Sequence, residues 1–504
     1  MLWLAASLAY GLAFPKAQVA FLAFGFLVPP LLLAEKQTKG RVFLTFFSFA
    51  FLSNLIILYW IPRVMIKYGG TTLTLGITGL MCLVAFLSIF SGLAGILIQH
   101  KIAHGSPWGL AAWIPAIWIG KDLLIEKTIS GFPWCLAGYS QYKNIYFIQA
   151  AEIGGIHLVS FLLIAVNVLL YNFLKTKNKK FLLALLLVFL IIYGGGYGLL
   201  QKHDRSSRAV PWHRAGIIQP NSNHDLVFDF ITIPRTLEKL FDASAVLKGQ
   251  GAELVIWPEF TVPIYPLQNP KYQKQFAAFS EHVVPLLAGF TDFQNFENAF
   301  NSVMLFDGDK IEKYDKFHLT PFGEYVLFRR WLFFVKKITD QIGDFTPGKT
   351  LHNLNFAGHQ LSTPICYEII YPELSRTLIA RGGEVIITIS NDSWFGKSSA
   401  PYQHLAMAVF RSVENRRYLL RSTSNGISAL VDPAGRIIYQ SPLHQPDQFM
   451  ASFRYLKHKT FFTRYGYLFP YLCVLLVLLD GLWTLVKKAK GKSLRPDRSK
   501  KLPA

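Results

Sequence analysis

Cysteine is scarce in this chain, four among 504 residues, which is too few to staple an exported domain of several hundred residues with disulfides. Cys82 and Cys473 fall inside apolar runs, Cys135 closes the short stretch Gly131-Phe132-Pro133-Trp134-Cys135, and Cys366 stands in a region of mixed composition with no partner there. An unpaired thiol in an oxidising compartment is a liability unless it is buried or used. Metal-ligand spacings are lacking and so are internal repeats, so neither a metal centre nor a solenoid is expected, and no cofactor is called for. The start has no basic leader and no small-residue cleavage site before a polar domain, which argues against a removable signal peptide. Acidic residues are few, 30 against 51 Lys and Arg, giving a formal net charge of +21.

What the chain has in excess is apolar sequence: 52% of its residues are hydrophobic and its mean hydropathy is +0.31, too greasy for an ordinary soluble protein. Runs Ala17 to Ala34, Val42 to Ile61, Thr71 to Ile98, Pro107 to Ile125, Ile145 to Leu174, Phe181 to Leu200 and Tyr467 to Val486 are each long enough to cross about 30 Å of hydrocarbon as a helix. Leu2 to Phe14, closed by Pro15-Lys16, is a further span or one half of a tight membrane hairpin; with it, residues 1–200 hold seven spans. The basic residues gather in three places: Lys36, Lys39 and Arg41; Lys175, Lys177, Lys179 and Lys180; and the tail from Lys487 through Lys501. The positive-inside rule makes all three cytoplasmic and leaves no need for nucleic acid as a partner. Counting spans then puts 201–466 on the far side, with 467–486 returning and 487–504 as a cytoplasmic tail.

Between Gln201 and Gly466 the long runs give way to short strands alternating with amphipathic helices. Strands are expected at Ala215–Gln219, Glu253–Trp257, Val284–Phe290, Ser302–Phe306, Gln360–Cys366, Val385–Ile389 and Ile427–Val431, and helices at Arg235–Lys248, Pro372–Ala380 and Tyr402–Arg417. This is the pattern of one α/β domain.

Three residues in that domain carry chemistry. Glu259 follows the buried-strand run Leu254-Val255-Ile256-Trp257 and a ladder-ending Pro258, at the strand's carboxyl end where α/β sheets place their sites. Flanked by Trp257 and Phe260, its carboxyl should titrate high and accept protons near neutrality. Lys316 precedes the aromatic-rich stretch Phe317 to Glu324, where an ammonium can stabilise a thiolate or an oxyanion. Cys366 sits in Thr363-Pro364-Ile365-Cys366-Tyr367-Glu368, at a strand-to-helix turn whose N–H groups and dipole favour thiolate. Taken singly, each has an ordinary reading: a surface glutamate, a structural ion pair, an inert buried thiol. Together they form a covalent-catalysis set. Glu324 is a supporting acid beside Lys316 or a plain polar residue before a helix. His318 ranks below Glu259 as the base, being two residues from Lys316. Glu152 and His157 lie within an apolar run and receive no role.

In order and context these residues resemble the nitrilase, or carbon–nitrogen hydrolase, superfamily, whose pattern is a Glu, a Lys and a Cys on an α-β-β-α sandwich. The flanks Gly131-Phe132-Pro133-Trp134, His318 to Glu324, Asn391-Asp392-Ser393-Trp394-Phe395-Gly396 and Pro401 to Ala408 are similar to the apolipoprotein N-acyltransferase family over essentially the whole chain. Asp392 stands where the superfamily commonly has Gly. The resemblance implies a multispan helical membrane domain plus a nitrilase-like sandwich in the bacterial inner membrane, with the sandwich periplasmic. It implies acyl transfer from a phospholipid, typically phosphatidylethanolamine, to the α-amino group of the diacylglyceryl-cysteine of an apolipoprotein. Glu259, Lys316 and Cys366 would be catalytic, with Glu324, Glu368 and Tyr367 in support, the last through its backbone N–H. Trp394 and Phe395 would shape a substrate pocket. The apolar arms Phe260 to Tyr265 and Phe322 to Phe334 either exclude water from a thioester or pack against the spans. A membrane-tethered amidase acting on water and a transporter with an inactive outer domain are the competing readings.

Overall fold

The computed structural model describes residues 2–67, 70–221, 232–294, 298–325 and 345–493. Two stretches read from the sequence fall outside them in part: the second arm beyond Tyr325 and the basic tail from Arg495 onward.

Among the described residues, six helices are long and apolar enough to cross a membrane: Lys39–Leu58, Leu73–His104, Pro107–Lys127, Ala151–Thr176, Lys180–Ser207 and Leu468–Lys487. Local signals set their starts, since Thr72 accepts a hydrogen bond from the Leu75 N–H and Ser106 accepts from that of Gly109, with Pro107 in the first turn. Two expected spans are broken instead of continuous. Ala17 to Ala34 becomes a 3₁₀ turn, Ala20–Phe24, and a helix, Val28–Ala34, because Pro29 and Pro30 can only begin a new helix. Buried Asn167 satisfies the backbone groups freed at the break, accepting from the Leu27 N–H at 2.9 Å and donating to the Ala23 carbonyl at 2.9 Å. The expected span Ile145 to Leu174 is likewise a short helix, Ile145–Ile148, followed by Ala151–Thr176, which kinks where Gly154 and Gly155 leave helical geometry. Gly155 has φ +64° and a Cβ there would lie 2.6 Å from the Phe462 ring, so only glycine fits.

The described residues of the α/β region form two six-stranded sheets. The first contains β1 (His213–Gln219), β2 (Leu254–Ile256), β3 (Leu286–Gln294), β4 (Asn298–Asp307), β5 (Lys310–Asp315) and the late strand Asp447–Phe453. The second contains β6 (Leu354–Phe356), β7 (His359–Ser362), β8 (Val385–Ser390), β9 (Leu419–Thr423), β10 (Ala429–Val431) and β11 (Ile437–Gln440), which makes Asp447–Phe453 β12. Their orders are β12-β1-β2-β3-β4-β5 and β11-β10-β9-β8-β7-β6. In each sheet three central strands run parallel, β1-β2-β3 and β7-β8-β9, and antiparallel strands flank them. β5, β6, β9, β11 and β12 are absent from the strands expected from sequence. β5 and β11 keep partly exposed residues, so their apolar runs are weak.

The sheets face each other across a core that includes Ile217, Ile256 and Leu287 from one side and Leu361, Ile387 and Leu420 from the other. Helices Thr232–Gly249 and Pro270–His282 cover the outer face of the first sheet through Leu237, Leu247 and Phe276. Helices Pro372–Ala380 and Ala400–Asn415 cover the second. The result is the expected α-β-β-α sandwich. Its second helical layer shares one apolar core with the membrane helices, where Leu378, Ala406 and Phe410 join Ile156, Ile164 and Trp134.

Buried Gln403 is the polar bolt of that junction. Its Oε1 accepts from the indole N–H groups of Trp134 at 2.7 Å and Trp60 at 3.2 Å, while its Nε2 lies 3.1 Å from the Pro15 carbonyl and 3.0 Å from that of Ile57. Glu152, left without a role above, forms an ion pair with Arg416 at 2.6 Å. His157 lies 3.2 Å from Glu126.

Candidate active site

The carboxyl ends of the parallel strands converge between the sheets. The chain leaves β2 through Trp257 and Pro258, which sets Glu259 beyond the strand end. Gly289 on β3 permits the close approach, since a Cβ there would come within 2.7 Å of the Glu259 Cα. β5 ends at Asp315, and Lys316 is fixed by its N–H donating to the Asn301 carbonyl at 2.8 Å. β7 stops at Ser362, earlier than expected, and Cys366 opens the 3₁₀ turn Cys366–Ile370 with φ +50°. A left-handed backbone at a non-glycine residue is strained and clusters at functional sites.

Glu259, Lys316 and Cys366 meet, as the sequence reading requires. The Glu259 carboxylate accepts from Asn301 Nδ2 at 2.7 Å through Oε1 and from the Asn391 N–H at 2.7 Å through Oε2. The Cys366 thiol is a third neighbour of that carboxylate, near enough for the Glu259 charge to raise it. The Lys316 ammonium lies 3.6 Å from Glu259 and 2.8 Å from Glu324. Asn301 Nδ2 donates to Glu324 as well, at 2.6 Å, so one amide spans both carboxylates.

Electrostatics follow from burial. Burial, then Glu324, raises the Glu259 carboxyl above its usual range against the pull of Lys316. Burial opposes the Lys316 charge, yet Glu324, Glu259 and Cys366 outweigh it and hold the ammonium. The Cys366 thiol is pushed well up, first by burial and then by the Glu259 charge. That corrects the expectation of a thiolate favoured by the turn: the sulfur rests as a thiol beside a base. His318 is pushed down to about 4 by burial and by Lys316, which fits its lower rank as a base.

Glu368 and Glu324 hold backbone around the site. Glu368 is fully buried and accepts four hydrogen bonds, from Tyr314 Oη at 3.0 Å, the N–H groups of Phe317 at 2.7 Å and His318 at 3.0 Å, and the Ile365 N–H at 2.7 Å. It therefore ties the segment after Lys316 to the turn that carries Cys366, and burial pushes its carboxyl up to about 7 against those donors. Glu324 accepts from the Thr320 N–H at 2.8 Å and so fixes the loop that carries it. Tyr367 stacks on Trp134 at 6.5 Å, and Phe395 packs against Trp60 at 5.1 Å and Trp134 at 6.0 Å. These rings form an aromatic wall joining the site to the membrane helices; Trp394, half-buried, lies next along the chain.

The sequence reading did not single out Asn301, Ser390, His404 or Arg421. Ser390 Oγ lies 3.1 Å from Cys366 Sγ and donates to Asp392 at 2.7 Å. His404 stands within the run Pro401 to Ala408, a signal that was in hand. Arg421, in the middle of an unrecognised strand, offered none.

A cysteine, a carboxylate and a lysine between two stacked sheets define a carbon–nitrogen hydrolase site, and the family model for "Carbon-nitrogen hydrolase" matches residues 214–449. A second model, "Apolipoprotein N-acyltransferase N-terminal domain", matches residues 6–169. The apolipoprotein N-acyltransferase of Geobacter metallireducens is 31% identical over 92% of this chain and 91% of its own. Those of Pseudomonas putida, 33% identical over 77% of each chain, and Pseudomonas aeruginosa, 31% identical over 87% of this chain and 85% of its own, are also similar. A solved amidase from Nesterenkonia sp. aligns over 50% of this chain and 95% of its own, at 20% identity and a TM-score of 0.39. This chain belongs to the apolipoprotein N-acyltransferase family of the nitrilase superfamily.

Proposed function

We propose that this membrane-bound acyltransferase moves a fatty acyl group from a phospholipid, with phosphatidylethanolamine as the expected donor, to the α-amino group of the diacylglyceryl-cysteine of an apolipoprotein. Cys366 carries the acyl group between the two. Glu259 takes the thiol proton as the sulfur attacks the ester carbonyl, and Lys316 with the Tyr367 N–H stabilises the oxyanion. The ester C–O bond breaks, the lysophospholipid oxygen leaves with the proton from Glu259, and a thioester remains. The acceptor amine then attacks that thioester and passes a proton to Glu259. The C–S bond breaks, and the sulfur recovers the proton as the N-acylated product departs, a ping-pong cycle.

The observation that carries this reading is the shared core: the sheet that bears Cys366 is roofed by helices packed directly on the membrane helices. Both substrates hold acyl chains whose withdrawal from the bilayer costs about 0.8 kcal/mol per CH₂, so a site on that seam can receive them without extraction. Trp394 and Phe395 line the substrate side. Alternation of the long helices, with the loops around Lys39 and Lys177 on one side, supports a reading with 201–466 on the opposite side as the catalytic domain, 467–486 as the returning span and 487–504 as the basic tail. In a bacterial inner membrane that opposite side is the periplasm.

The test is intact mass spectrometry after incubation with phosphatidylethanolamine. The expected result is a gain of one acyl group and release of lysophospholipid, both lost in Cys366→Ser, followed by transfer to a diacylglyceryl-cysteine peptide. Free fatty acid without transfer makes the protein a hydrolase and overturns the reading.

A further inference from the structure

Behind the nucleophile lies a buried polar chain that the mechanism above does not use. Arg421, Asp392 and His404 are each at most 1% exposed and sit on three elements: β9, the turn after β8, and helix Ala400–Asn415. The Arg421 Nη2 group has two protons and two acceptors, Asp392 Oδ2 at 2.8 Å and His404 Nδ1 at 3.0 Å. Nδ1 also lies 3.3 Å from Asp392 Oδ1, so the arginine and the carboxylate together hold that edge of the ring. Nε2 lies 3.1 Å from the Cys366 carbonyl oxygen, which only accepts. A carbonyl facing Nε2 requires a proton on Nε2, while burial followed by Arg421 lowers the imidazole pKa. From the same ion pair a second arm runs through Ser390, which donates to Asp392 at 2.7 Å and lies 3.1 Å from Cys366 Sγ. One buried pair therefore grips the nucleophilic residue at its carbonyl and at its sulfur.

The grip falls where the backbone needs it. Cys366 holds φ +50°, a conformation costing on the order of 1–3 kcal/mol that persists only when its surroundings enforce it. If that residue relaxes, the sulfur swings away from Glu259 and the Tyr367 N–H turns from the oxyanion position. Trp134 stacks on the imidazole at 6.0 Å and Phe395 meets it edge-on at 5.9 Å, so the ring is clamped in place.

We infer that His404, oriented by Arg421 and Asp392, is a positioning residue for Cys366: its Nε2–H locks the carbonyl of the strained residue and so aims the sulfur at Glu259. The inference rests on Cys366 being the nucleophile but not on the identity of the acyl donor. The test compares His404→Gln, whose amide nitrogen reaches the Nε2 position, with His404→Asn, which can meet Arg421 but not the carbonyl, in the full chain. Two rates are read by mass spectrometry: thioester formation from phosphatidylethanolamine, and alkylation of Cys366 by iodoacetamide, resolved from the other thiols by peptide mapping. Misplacement by an ångström costs about 10²-fold, so the Asn variant is expected to be slower by about that factor in thioester formation, with KM for the lipid unchanged. The Gln variant should recover most of the loss, alkylation should follow the same order, and the two melting midpoints should agree. Equal rates for Asn and Gln, or a wild-type rate in Asn, overturn the inference. So does loss of the fold in the Gln variant, which would make His404 a packing residue. If the wild type forms no thioester yet alkylation still ranks Gln above Asn, the donor assignment fails and the positioning role stands.

Discussion

Glu259→Gln separates chemistry from stability more sharply than any other single change. Glu259 and Glu324 share one ammonium and one amide: Lys316 lies 3.6 Å and 2.8 Å from them, and Asn301 Nδ2 lies 2.7 Å and 2.6 Å away. The buried cluster thus carries a net charge of −1, and an uncompensated buried charge is costly. Replacing Glu259 by its amide leaves a neutral Lys316–Glu324 pair, which favours the folded state. Against this, the new NH₂ must point at either Asn301 Nδ2 or the Asn391 N–H, a donor facing a donor, at about 1–3 kcal/mol. The two effects oppose each other, so the melting midpoint should move by only a few degrees in either direction. Catalysis has no such offset. Loss of a positioned general base costs about 10²–10⁴-fold, or roughly 2.7–5.4 kcal/mol of barrier, and the thiol it must deprotonate is itself raised by burial. The assay is rapid-quench mass spectrometry of the acyl-enzyme, alongside thermal unfolding by tryptophan fluorescence in detergent. Thioester formation within about threefold of wild type refutes Glu259 as the base. A fully active variant that melts far lower would make it a structural carboxylate.

The same carboxyl sets a pH signature: its folded pKa lies above the unfolded value of about 4.3, so the acid limb of the wild-type rate should sit above the ordinary carboxylate range. Relative to Glu259→Gln, the wild type should gain stability as pH falls through that folded value, a gain complete below the unfolded one; a gain on raising pH would contradict this sign. Lys316→Met leaves two buried carboxylates on one amide and should destabilise by about 3–5 kcal/mol, with Glu324→Gln in the same chain recovering part of it; denaturant midpoints of the single and double variants decide. Glu368→Gln keeps acceptors for Phe317 and His318 but sets its NH₂ against the Ile365 N–H, at about 1–3 kcal/mol. An unchanged denaturant midpoint would show that Glu368 does not tie these segments together. Gln403→Ala strips the Trp60 and Trp134 indoles of their acceptor, so limited proteolysis should cut the junction of sandwich and membrane helices faster than in wild type.

What could be read from sequence was whatever local pattern determines. Glu259 was legible because an apolar run and a proline mark a strand's carboxyl end whatever the fold, and Cys366 because Pro364 and Pro372 bracket a turn. The two broken spans were not, since hydropathy reports that a segment is apolar and not that it is one helix. Only the tertiary partners, Asn167 at the first break and Glu414 accepting from the Ile156 N–H at 2.9 Å at the Gly154–Gly155 kink, make non-helical backbone tolerable there. Asn301, Ser390, His404 and Arg421 escaped for a related reason: each serves the site through a partner distant in sequence, and a lone polar residue in an apolar strand announces no partner.

The resting thiol is the point at which these levels meet. A turn that simply stabilised thiolate would leave a nucleophile charged, open to oxidation and hydrated. Burial removes that risk and raises the thiol, and the same burial, with Glu324 beside it, raises Glu259, which in the proposed mechanism keeps it basic enough to take the proton when substrate arrives. The two shifts have one cause, so opening the site to water should lower both together. A substitution such as Phe395→Ser thins the aromatic wall against Trp60 and Trp134. It should move the acid limb of the rate toward ordinary carboxylate values while alkylation of Cys366 becomes faster at neutral pH. Alkylation slower than wild type with an unshifted limb would mean that the wall positions the substrate and does not control the dielectric of the site.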